Sequence, residues 1–285
     1  MTNLTISQPI RKSRTPQPQY GYYYFAPYIS MLAVFVSTGA AAVALGLGQD
    51  SRIILYTGFA TAAYGILTTI GWALARYVIP GNRVTVARRL ISRLGLQGSE
   101  QILDVGSGRG LYAIEAARRL STGRVSAIDI WNPKSIDRLA FHHKLSQPTG
   151  NTIENARKNA MRADVADRVE FINMDAAHLD FANESFDLVI CGFVIGHLWQ
   201  HQDKVLKEIR RVLKCGGRVI LIDNVCDLTY FLLSTPHMFV LSYLRGRKAK
   251  RLSEKNWCKT IIRAGFDIRR WRVRKGIIII EGQKT

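Results

Sequence analysis

The sequence has few acidic residues, few cysteines and no closely spaced cysteine pair. Its 285 residues carry 21 Asp and Glu against 40 Lys and Arg, for a formal net charge of +19. None of the four cysteines belongs to a C-x-x-C pair, which argues against a zinc ribbon or a disulfide framework and fits a reducing compartment. The excess of positive charge predicts a polyanionic partner, either nucleic acid or an anionic membrane surface.

Charge is also absent from two long runs near the N-terminus, Tyr28–Gly48 and Ile53–Ala75. A helix needs about 20 apolar residues to cross a bilayer, so each run is long enough for one span. The many Ala, Gly and Thr residues in both runs favour close packing of two helices. We therefore expect a transmembrane hairpin over 28–79 with spans at 28–48 and 53–75. Buried soluble helices and a cleaved signal peptide are the alternatives.

The charges that flank the two runs predict the orientation of this hairpin. Basic residues precede the first run and follow the second, whereas the short turn between them has no net charge. Under the positive-inside rule, both termini then face the cytoplasm. We expect a cytosolic basic and aromatic tail over 1–27 and a cytosolic domain over 80–285. The flanking basic residues are Arg11, Lys12, Arg14, Arg76, Arg83, Arg88, Arg89 and Arg93.

From about Arg83 the pattern changes to short apolar strands that alternate with amphipathic helices. Such alternation is typical of βαβ units around a parallel sheet. The last two apolar runs, 266–273 and 276–283, leave no room for a helix between them and predict a hairpin that adds an antiparallel strand to the sheet. Strands are expected at 101–105, 124–129, 169–173, 186–191 and 218–223, and helices at 111–120, 151–162 and 203–213.

The segment Gln101–Gly110 carries the strongest functional signal. A buried strand contains Asp104 near its end, and glycines follow at Gly106, Gly108 and Gly110 before a helix begins. Glycines allow a tight turn and let backbone N–H groups approach a ligand, with the helix N-terminus behind them. A dinucleotide-binding loop would space its glycines differently, as G-x-G-x-x-G.

This segment resembles the first motif of class I S-adenosylmethionine-dependent methyltransferases, an acid followed by G-x-G-x-G. Further motifs follow in order: Asp129 ends the second strand, Asp175-Ala176 follows the third, and Cys191 ends the fourth. With the two apolar runs ahead of it, the chain is similar to membrane-tethered bacterial members of the methyltransferase 11-like group. The resemblance implies location at the bacterial inner membrane and a Rossmann-like α/β sheet with an antiparallel C-terminal strand.

The resemblance also implies S-adenosylmethionine as the cofactor and names the residues that bind it. Asp129 would hold the two ribose hydroxyls, Asp175-Ala176 would contact the adenine, and Asp104 would compensate the ammonium group. Because the transferred methyl group already sits on a sulfonium, catalysis needs mainly alignment and a dry pocket. The full set of expected cofactor ligands is Asp104, Gly106, Ser107, Gly108, Gly110, Asp129, Ile130, Asp175, Ala176 and Cys191.

Few residues point to the acceptor. His197 follows the fourth strand, on the rim where acceptors bind in this fold, and is a candidate base or pocket wall. Asp223 and Asn224 end the fifth strand and could touch the substrate or cap a turn. The pair His142-His143 has no evident third ligand, so no metal site is expected.

A third uncharged run, Leu228–Leu244, precedes a basic block over 245–251. An apolar run followed by a basic cluster is typical of an interfacial anchor beside anionic lipid, and this run would also cover the acceptor pocket. We therefore expect the bilayer as a partner and an apolar, lipid-like acceptor. We do not expect nucleic acid as the partner, although the missing Asn/Asp-Pro-Pro-aromatic motif after the fourth strand excludes only methyltransferases that act on base amino groups. The alternatives are a soluble small-molecule or nucleic-acid acceptor, with the anchor serving only localisation, and a non-catalytic cofactor-binding membrane scaffold. The sequence does not indicate an oligomeric state.

Overall fold

A pair of long helices is followed by a mixed sheet with helices on both faces. The computed structural model describes residues 17–20, 25–78, 83–131, 151–196, 198, 201–225, 253–274 and 276–285. The helices are α1 (Phe25–Gly48), α2 (Arg52–Val78), α3 (Arg83–Ser92), α4 (Leu111–Ala117), α5 (Ile153–Arg162), α6 (Gln202–Val212) and α7 (Glu254–Arg263). The strands are β1 (Gln101–Val105), β2 (Arg124–Asp129), β3 (Val169–Asn173), β4 (Phe186–Gly192), β5 (Leu213–Asn224), β6 (Phe266–Arg274) and β7 (Ile277–Lys284).

The strands form one seven-stranded sheet in the order β3-β2-β1-β4-β5-β7-β6. Strands β1 to β5 pair in parallel, and β7 lies antiparallel to both β5 and β6. The chain therefore has a Rossmann-like α/β sheet with an antiparallel strand near its C-terminus, as the sequence predicts. The order reverses between β1 and β4, and parallel sheets bind ligands outside the carboxyl ends of their strands at such a point.

Two apolar layers cover the two faces of the sheet. Helices α6 and α7 pack on one face, where Trp257 and Ile261 of α7 are fully buried. Helices α3, α4 and α5 pack on the other face, around Ile102 of β1 and Ile190 of β4. Because the central strands are buried on both sides, they appear in the sequence as nearly continuous apolar runs.

The sequence predicts most strand positions closely and misses two features of the second half. Strand β5 begins at Leu213 rather than Arg218, because Gly216 adopts a φ of 74° and lets the chain turn while Leu213 still pairs with Phe186. Helix α7 is not predicted, although Ser253 caps its N-terminus by accepting a 3.3 Å hydrogen bond from the backbone N–H of Asn256. Such a cap is a standard signal for a helix start.

Helices α1 and α2 pack closely along small residues. A side chain at Gly39 would collide with Ala62, one at Gly58 with the backbone of Val43, and one at Gly65 with Phe35. These close approaches show an antiparallel hairpin held by backbone-to-backbone packing, the arrangement that small residues allow.

The structure contains the two predicted helices but does not support their prediction as membrane spans. Helices do occupy 28–48 and 53–75, and their side chains are described at 33–48, 52–67 and 70. Within the described residues, no helix combines the length and the apolar character needed to cross a membrane. The helical hairpin is therefore confirmed, and its insertion into a bilayer stays a prediction. The run Leu228–Leu244, the basic block over 245–251 and His142-His143 lie outside the described residues.

Candidate active site

The ends of four neighbouring strands bring the predicted cofactor residues to one edge of the sheet. In the pairing register, Val105 at the end of β1 lies opposite both Ile128 of β2 and Cys191 of β4. Asp129 at the end of β2 lies opposite Asn173 of β3. The segments that follow these strands therefore meet at a single edge.

The glycine loop, residues 106–110, turns sharply as it leaves β1. All three of its glycines have positive φ, at 71°, 57° and 84°. At Gly106 a side chain would also lie 2.0 Å from Val194, in the loop that follows β4. Residues with a Cβ avoid this conformation, so glycine is required both by the turn and by the close approach of the neighbouring loop.

Asp129 fastens the glycine loop through its side chain. Its carboxylate accepts hydrogen bonds from the backbone N–H of Gly108 and of Ile130, each at 2.7 Å. A carboxylate has about four lone-pair sites and can accept hydrogen bonds from several donors, including the hydroxyls of a ribose. The structure thus places Asp129 and Ile130 against the loop, and their contact with a cofactor stays a prediction.

Two residues of this region were missed by sequence reasoning. The buried indole of Trp131 donates a 2.9 Å hydrogen bond to the carbonyl of Gly108, and its ring packs edge-on against Phe171. Asn173 accepts a 2.9 Å bond from the backbone N–H of Trp131. The position of Trp131, two residues after a strand-end acid, was the available signal for its role at the base of the loop.

Asp104 lies beneath the loop and is almost fully buried. Its Oδ2 accepts a 3.0 Å hydrogen bond from the backbone N–H of Ala113, near the start of α4. Burial raises the pKa of this carboxyl to about 7; the nearby Ser107 side chain and the Ala113 N–H oppose the rise, and the charge of Asp129 adds to it. The Ser107 hydroxyl comes near without reaching the geometry of a hydrogen bond.

The remaining predicted cofactor residues flank this centre. Asp175, just beyond β3, is exposed, and its Oδ1 accepts a 2.9 Å bond from the backbone N–H of Ala177. Ala176 is buried in the core below it. Cys191 is a buried free thiol whose pKa is raised well above its ordinary value, first by burial and then by Asp223 and Asp104. Its side chain therefore stays protonated and apolar in character.

The loop after β4, residues 193–196, forms the wall opposite the glycine loop. Phe193 has a φ of 60°, a conformation that bulky side chains rarely adopt and that clusters at functional sites. The buried carboxylate of Asp223 accepts a 2.7 Å hydrogen bond from the backbone N–H of Gly196 and one from Asn224. Asp223 therefore acts as a turn cap here, one of its two predicted roles. His197 lies outside the described residues.

The N-terminal strap, residues 17–20, docks onto the helix beside the glycine loop. The buried amide of Asn159 in α5 accepts a 2.8 Å bond from the backbone N–H of Gln19 and donates a 3.0 Å bond to its carbonyl. The same amide group donates a 3.1 Å bond to the carbonyl of Arg109, inside the loop. Asn159 was not predicted, although a buried polar residue among the alanines of α5 was the available signal.

The residues of the loop fit the cofactor that the resemblance implies. Within the described residues, three buried polar atoms of this region make no hydrogen bond: Oδ1 of Asp104, Oγ of Ser107 and Nε of Arg109. Buried polar groups usually have partners, so a polar, cationic ligand would satisfy the first two. The bare backbone of the three glycines supplies the close approach such a ligand needs.

Comparison with known proteins agrees with this geometry. A family model described as a methyltransferase domain matches residues 103–221. This segment runs from β1 into β5 and contains every predicted cofactor residue. We refer to this segment, together with the strands and helices that complete its sheet, as the methyltransferase domain after this match, which covers less than half of the chain.

Curated relatives of the methyltransferase domain carry methyltransferase names. The methyltransferase GfsG of Streptomyces halstedii is 32% identical over 145 residues, which cover 51% of this chain and 44% of that protein. The ubiquinone/menaquinone biosynthesis C-methyltransferase UbiE of Haemophilus ducreyi is 26% identical over 130 residues, which cover 45% of this chain and 43% of that protein. The chain thus spans less than half the length of these two relatives.

Solved structures share the fold at low sequence identity. A SAM-dependent methyltransferase from Aquifex aeolicus superposes with a TM-score of 0.52 at 16% identity, covering 75% of this chain and 98% of that one. The [4+2]-cyclase SpnF also gives 0.52, at 18% identity, covering 70% of this chain and 80% of that one. Because a protein described as a cyclase shares this fold, the fold alone does not define the reaction.

Proposed function

We propose that the protein is a membrane-attached methyltransferase that transfers a methyl group to an apolar, lipid-like acceptor at the cytosolic face of the membrane. The observation that carries this proposal is the apolar outer surface of the α1–α2 hairpin. The hairpin leads within a few residues into α3, which packs against α4 of the methyltransferase domain. Attachment of the hairpin would therefore hold the domain at the membrane.

The outer surface of the hairpin exposes large apolar side chains on both helices. Leu47 is 68% exposed and Ile53 is 78% exposed. Contiguous apolar patches of this kind on a protein surface mark sites of association with a membrane or another apolar surface. The large apolar side chains that are exposed on the described part of the hairpin are Val34, Val36, Leu45, Leu47, Ile53, Tyr56, Phe59, Ile66, Leu67 and Ile70.

The residues of the domain would bind the cofactor, orient it and keep water away from it. Asp129 and the glycine loop would hold the nucleoside part, and Asp104 would face the positive charge of the ligand. When bound, S-adenosylmethionine supplies a methyl group on a sulfonium, which is a good leaving group. The strained loop at Phe193 and the turn capped by Asp223 would form the acceptor wall. Alignment in a dry site is then the main requirement.

The names of the relatives support a lipid-like acceptor. UbiE proteins are described as C-methyltransferases of ubiquinone and menaquinone biosynthesis, and one from Roseobacter denitrificans matches over 186 residues at 26% identity. An apolar acceptor of this kind would be reached from the bilayer. Attachment through the hairpin would bring the domain close to such a substrate.

Membrane attachment can be tested with paired substitutions on the hairpin. Val34 and Leu67 are both exposed, and they lie at a similar level along the hairpin axis, because Phe35, next to Val34, packs on Gly65, close to Leu67. We expect the wild-type chain to stay in the membrane pellet after an alkaline carbonate wash. Val34→Glu with Leu67→Glu should release it, since each buried charge is costly.

The matched control for this test places the same charges in the turn of the hairpin. Gln49→Glu with Ser51→Glu should remain in the pellet, because the turn would lie in water. In the same membranes, an Asp50→Cys substitution should react with a thiol reagent added outside intact cells. Wild-type protein released by the wash would contradict attachment, and an unreactive Asp50→Cys would contradict the proposed orientation.

A further inference from the structure

A groove rimmed by arginines runs between α3 and the edge strand β6. Its floor is apolar and comes from three separate elements: Leu90 and Leu94 of α3, Ile220 of β5 and Ile279 of β7. Its rim consists of Arg93 from α3, Arg270 and Arg272 from β6, and Glu281 from β7. The groove lies on the sheet face opposite α6 and α7, away from the glycine loop.

The positive charge of the rim is largely uncompensated. Glu281 is the acid of the groove, and it already bridges Arg270 at 3.1 Å and Arg218 at 3.5 Å. Arg93 and Arg272 make no ion pair with any described residue. The pKa of Arg272 is lowered, first by burial and then by its neighbours Arg93, Arg270 and Arg274. These guanidinium groups repel one another, and an anion between them would relieve the repulsion.

Protection of the sheet edge does not account for this arrangement. Charged side chains on an edge strand prevent pairing with another chain, and β6 is an edge strand. Arg269, Arg270 and Arg272 are all exposed on this strand and can serve that role. That role needs neither an arginine from α3 nor an apolar floor. The groove combines an arginine from α3 with an apolar floor. These two features suit a ligand that is both amphiphilic and anionic.

We propose that this groove binds the phosphate headgroup of an anionic phospholipid, with the adjoining part of an acyl chain against its floor. This inference rests on the proposed attachment to the membrane. Helix α3 begins at Arg83, shortly after α2 ends at Val78, so the groove lies on the first element after the hairpin. Guanidinium groups bind phosphate through paired hydrogen bonds, and juxtamembrane basic residues favour anionic lipids.

The test uses the full-length chain in micelles of a neutral detergent and follows its thermal unfolding. The probes are dihexanoyl phosphatidylglycerol, dihexanoyl phosphatidylcholine, and glycerol 3-phosphate, which carries the phosphate without acyl chains. The groove variant is Arg93→Gln with Arg272→Gln. The matched control is Arg119→Gln with Arg263→Gln, which removes the same charge from exposed arginines outside the groove.

We expect phosphatidylglycerol to raise the unfolding temperature saturably in the wild type and in the control. The groove variant should need about tenfold more of this lipid for the same shift. An equal shift with phosphatidylcholine would overturn the proposal, because the site would then bind acyl chains without regard to headgroup charge. An equal shift with glycerol 3-phosphate would also overturn it, because the site would then bind the phosphate without the chains. Equal lipid affinity in the two double variants would also overturn it.

This experiment measures lipid binding in the groove independently of the proposed membrane attachment and methyl transfer. Because the probes are short lipids in detergent, groove binding is measured whether or not the hairpin holds the chain in a membrane. Cofactor affinity, measured in the same samples, should be equal in the wild type and both double variants. A loss of cofactor affinity in the groove variant alone would show a disturbed fold, and the single Arg272→Gln variant would then provide the decisive comparison of lipid affinities.

Discussion

At the scale of single residues, the charge of Asp104 depends strongly on its surroundings. Its carboxyl is almost fully buried, receives one backbone N–H, and has a pKa raised to about 7. Burial disfavours the ionised form, whereas a cationic ligand would favour it. Asp104 therefore connects the stability of the domain, its ligand binding and the pH.

The pKa of Asp104 predicts how stability changes with pH. The pKa of this carboxyl is about 7 in the folded chain, compared with its ordinary value of 3.8. Its ionisation therefore lowers the free energy of unfolding progressively as the pH rises from about 4 to 7. Above that range its cost is constant. The variant Asp104→Asn, which keeps an acceptor for the Ala113 N–H, should lack this component. Urea unfolding of both proteins at pH 4, 5.5 and 8 measures the difference.

The difference in the free energy of unfolding between the two proteins should change in one direction with pH. The wild type should lose stability relative to Asp104→Asn between pH 4 and 7 and should not change relative to it above about pH 8. A constant difference at all three pH values would show that Asp104 titrates normally. Added S-adenosylmethionine should raise the unfolding temperature of the wild type more at pH 8 than at pH 5.5.

Sequence reasoning located the strand-end acids but missed the residues that hold them in place. Asp104 and Asp129 lie at the ends of apolar strands, and glycines follow Asp104; this local pattern is visible in the sequence. Trp131 and Asn159 act through contacts with Gly108 and Arg109, which lie more than twenty residues away. Such contacts depend on the tertiary fold, so the sequence offers only weak signals: Trp131 closely follows a strand-end acid, and Asn159 is a polar residue beside alanine.

At the scale of elements, ionic and amide contacts tie the N-terminal part of the chain to the methyltransferase domain. Arg88 of α3 forms two hydrogen bonds with Glu115 of α4, at 3.2 and 3.3 Å, and Glu115 is almost fully buried. The N-terminal strap adds the contacts of Gln19 with Asn159. The first contact involves α4, and the second involves an amide that also bonds to the glycine loop. Both therefore support the edge of the sheet where the cofactor residues lie.

Removal of Arg88 should destabilise the domain more than removal of its neighbour. Arg88→Ala leaves the buried carboxylate of Glu115 without its partner, which should cost about 1–3 kcal/mol. The control Arg89→Ala removes an exposed arginine of the same helix and should change the free energy of unfolding by less than about 0.5 kcal/mol. Equal losses in chemical unfolding would contradict a specific role for the pair.

Asn159 should affect cofactor binding although it is not a predicted ligand. Asn159→Leu removes the bond to the carbonyl of Arg109 and both bonds to Gln19, so the glycine loop loses a support. We expect weaker S-adenosylmethionine binding by calorimetry, together with a loss of about 1–3 kcal/mol in stability. Lys158→Ala, on the exposed side of α5, is the control. Unchanged cofactor affinity in Asn159→Leu would show that the strap contact serves stability alone.

The elements that sequence reasoning predicted best are those with a strong apolar pattern. Strands β1, β2 and β3 lie at the predicted residues, because apolar residues are nearly continuous in β1 and alternate with polar ones in the edge strand β3. Helix α7 was missed because its buried side is narrow, with Trp257 and Ile261 as its buried residues. The early start of β5 depends on a glycine turn whose pairing with β4 is a tertiary property.

At the scale of the whole molecule, the apolar hairpin, the arginine groove and the cofactor edge belong to one continuous arrangement. The hairpin exposes apolar side chains, α3 follows it with arginines, and the sheet carries the methyltransferase site. In our proposal, the hairpin enters the apolar phase, the groove binds the headgroups, and the acceptor reaches the site from the bilayer. The positive net charge of the chain agrees with an anionic surface as its partner.

The most direct test of this account is a methyl-transfer measurement on membranes. Full-length protein in its host membranes is incubated with methyl-labelled S-adenosylmethionine, with Asp129→Ala as the control, and label is counted in organic and aqueous fractions. The account predicts label in the organic-phase lipids for the wild type and none for Asp129→Ala. Label confined to water-soluble metabolites, protein or nucleic acid would contradict a lipid-like acceptor, and no transfer with cofactor binding intact would contradict a methyltransferase acting on these membranes.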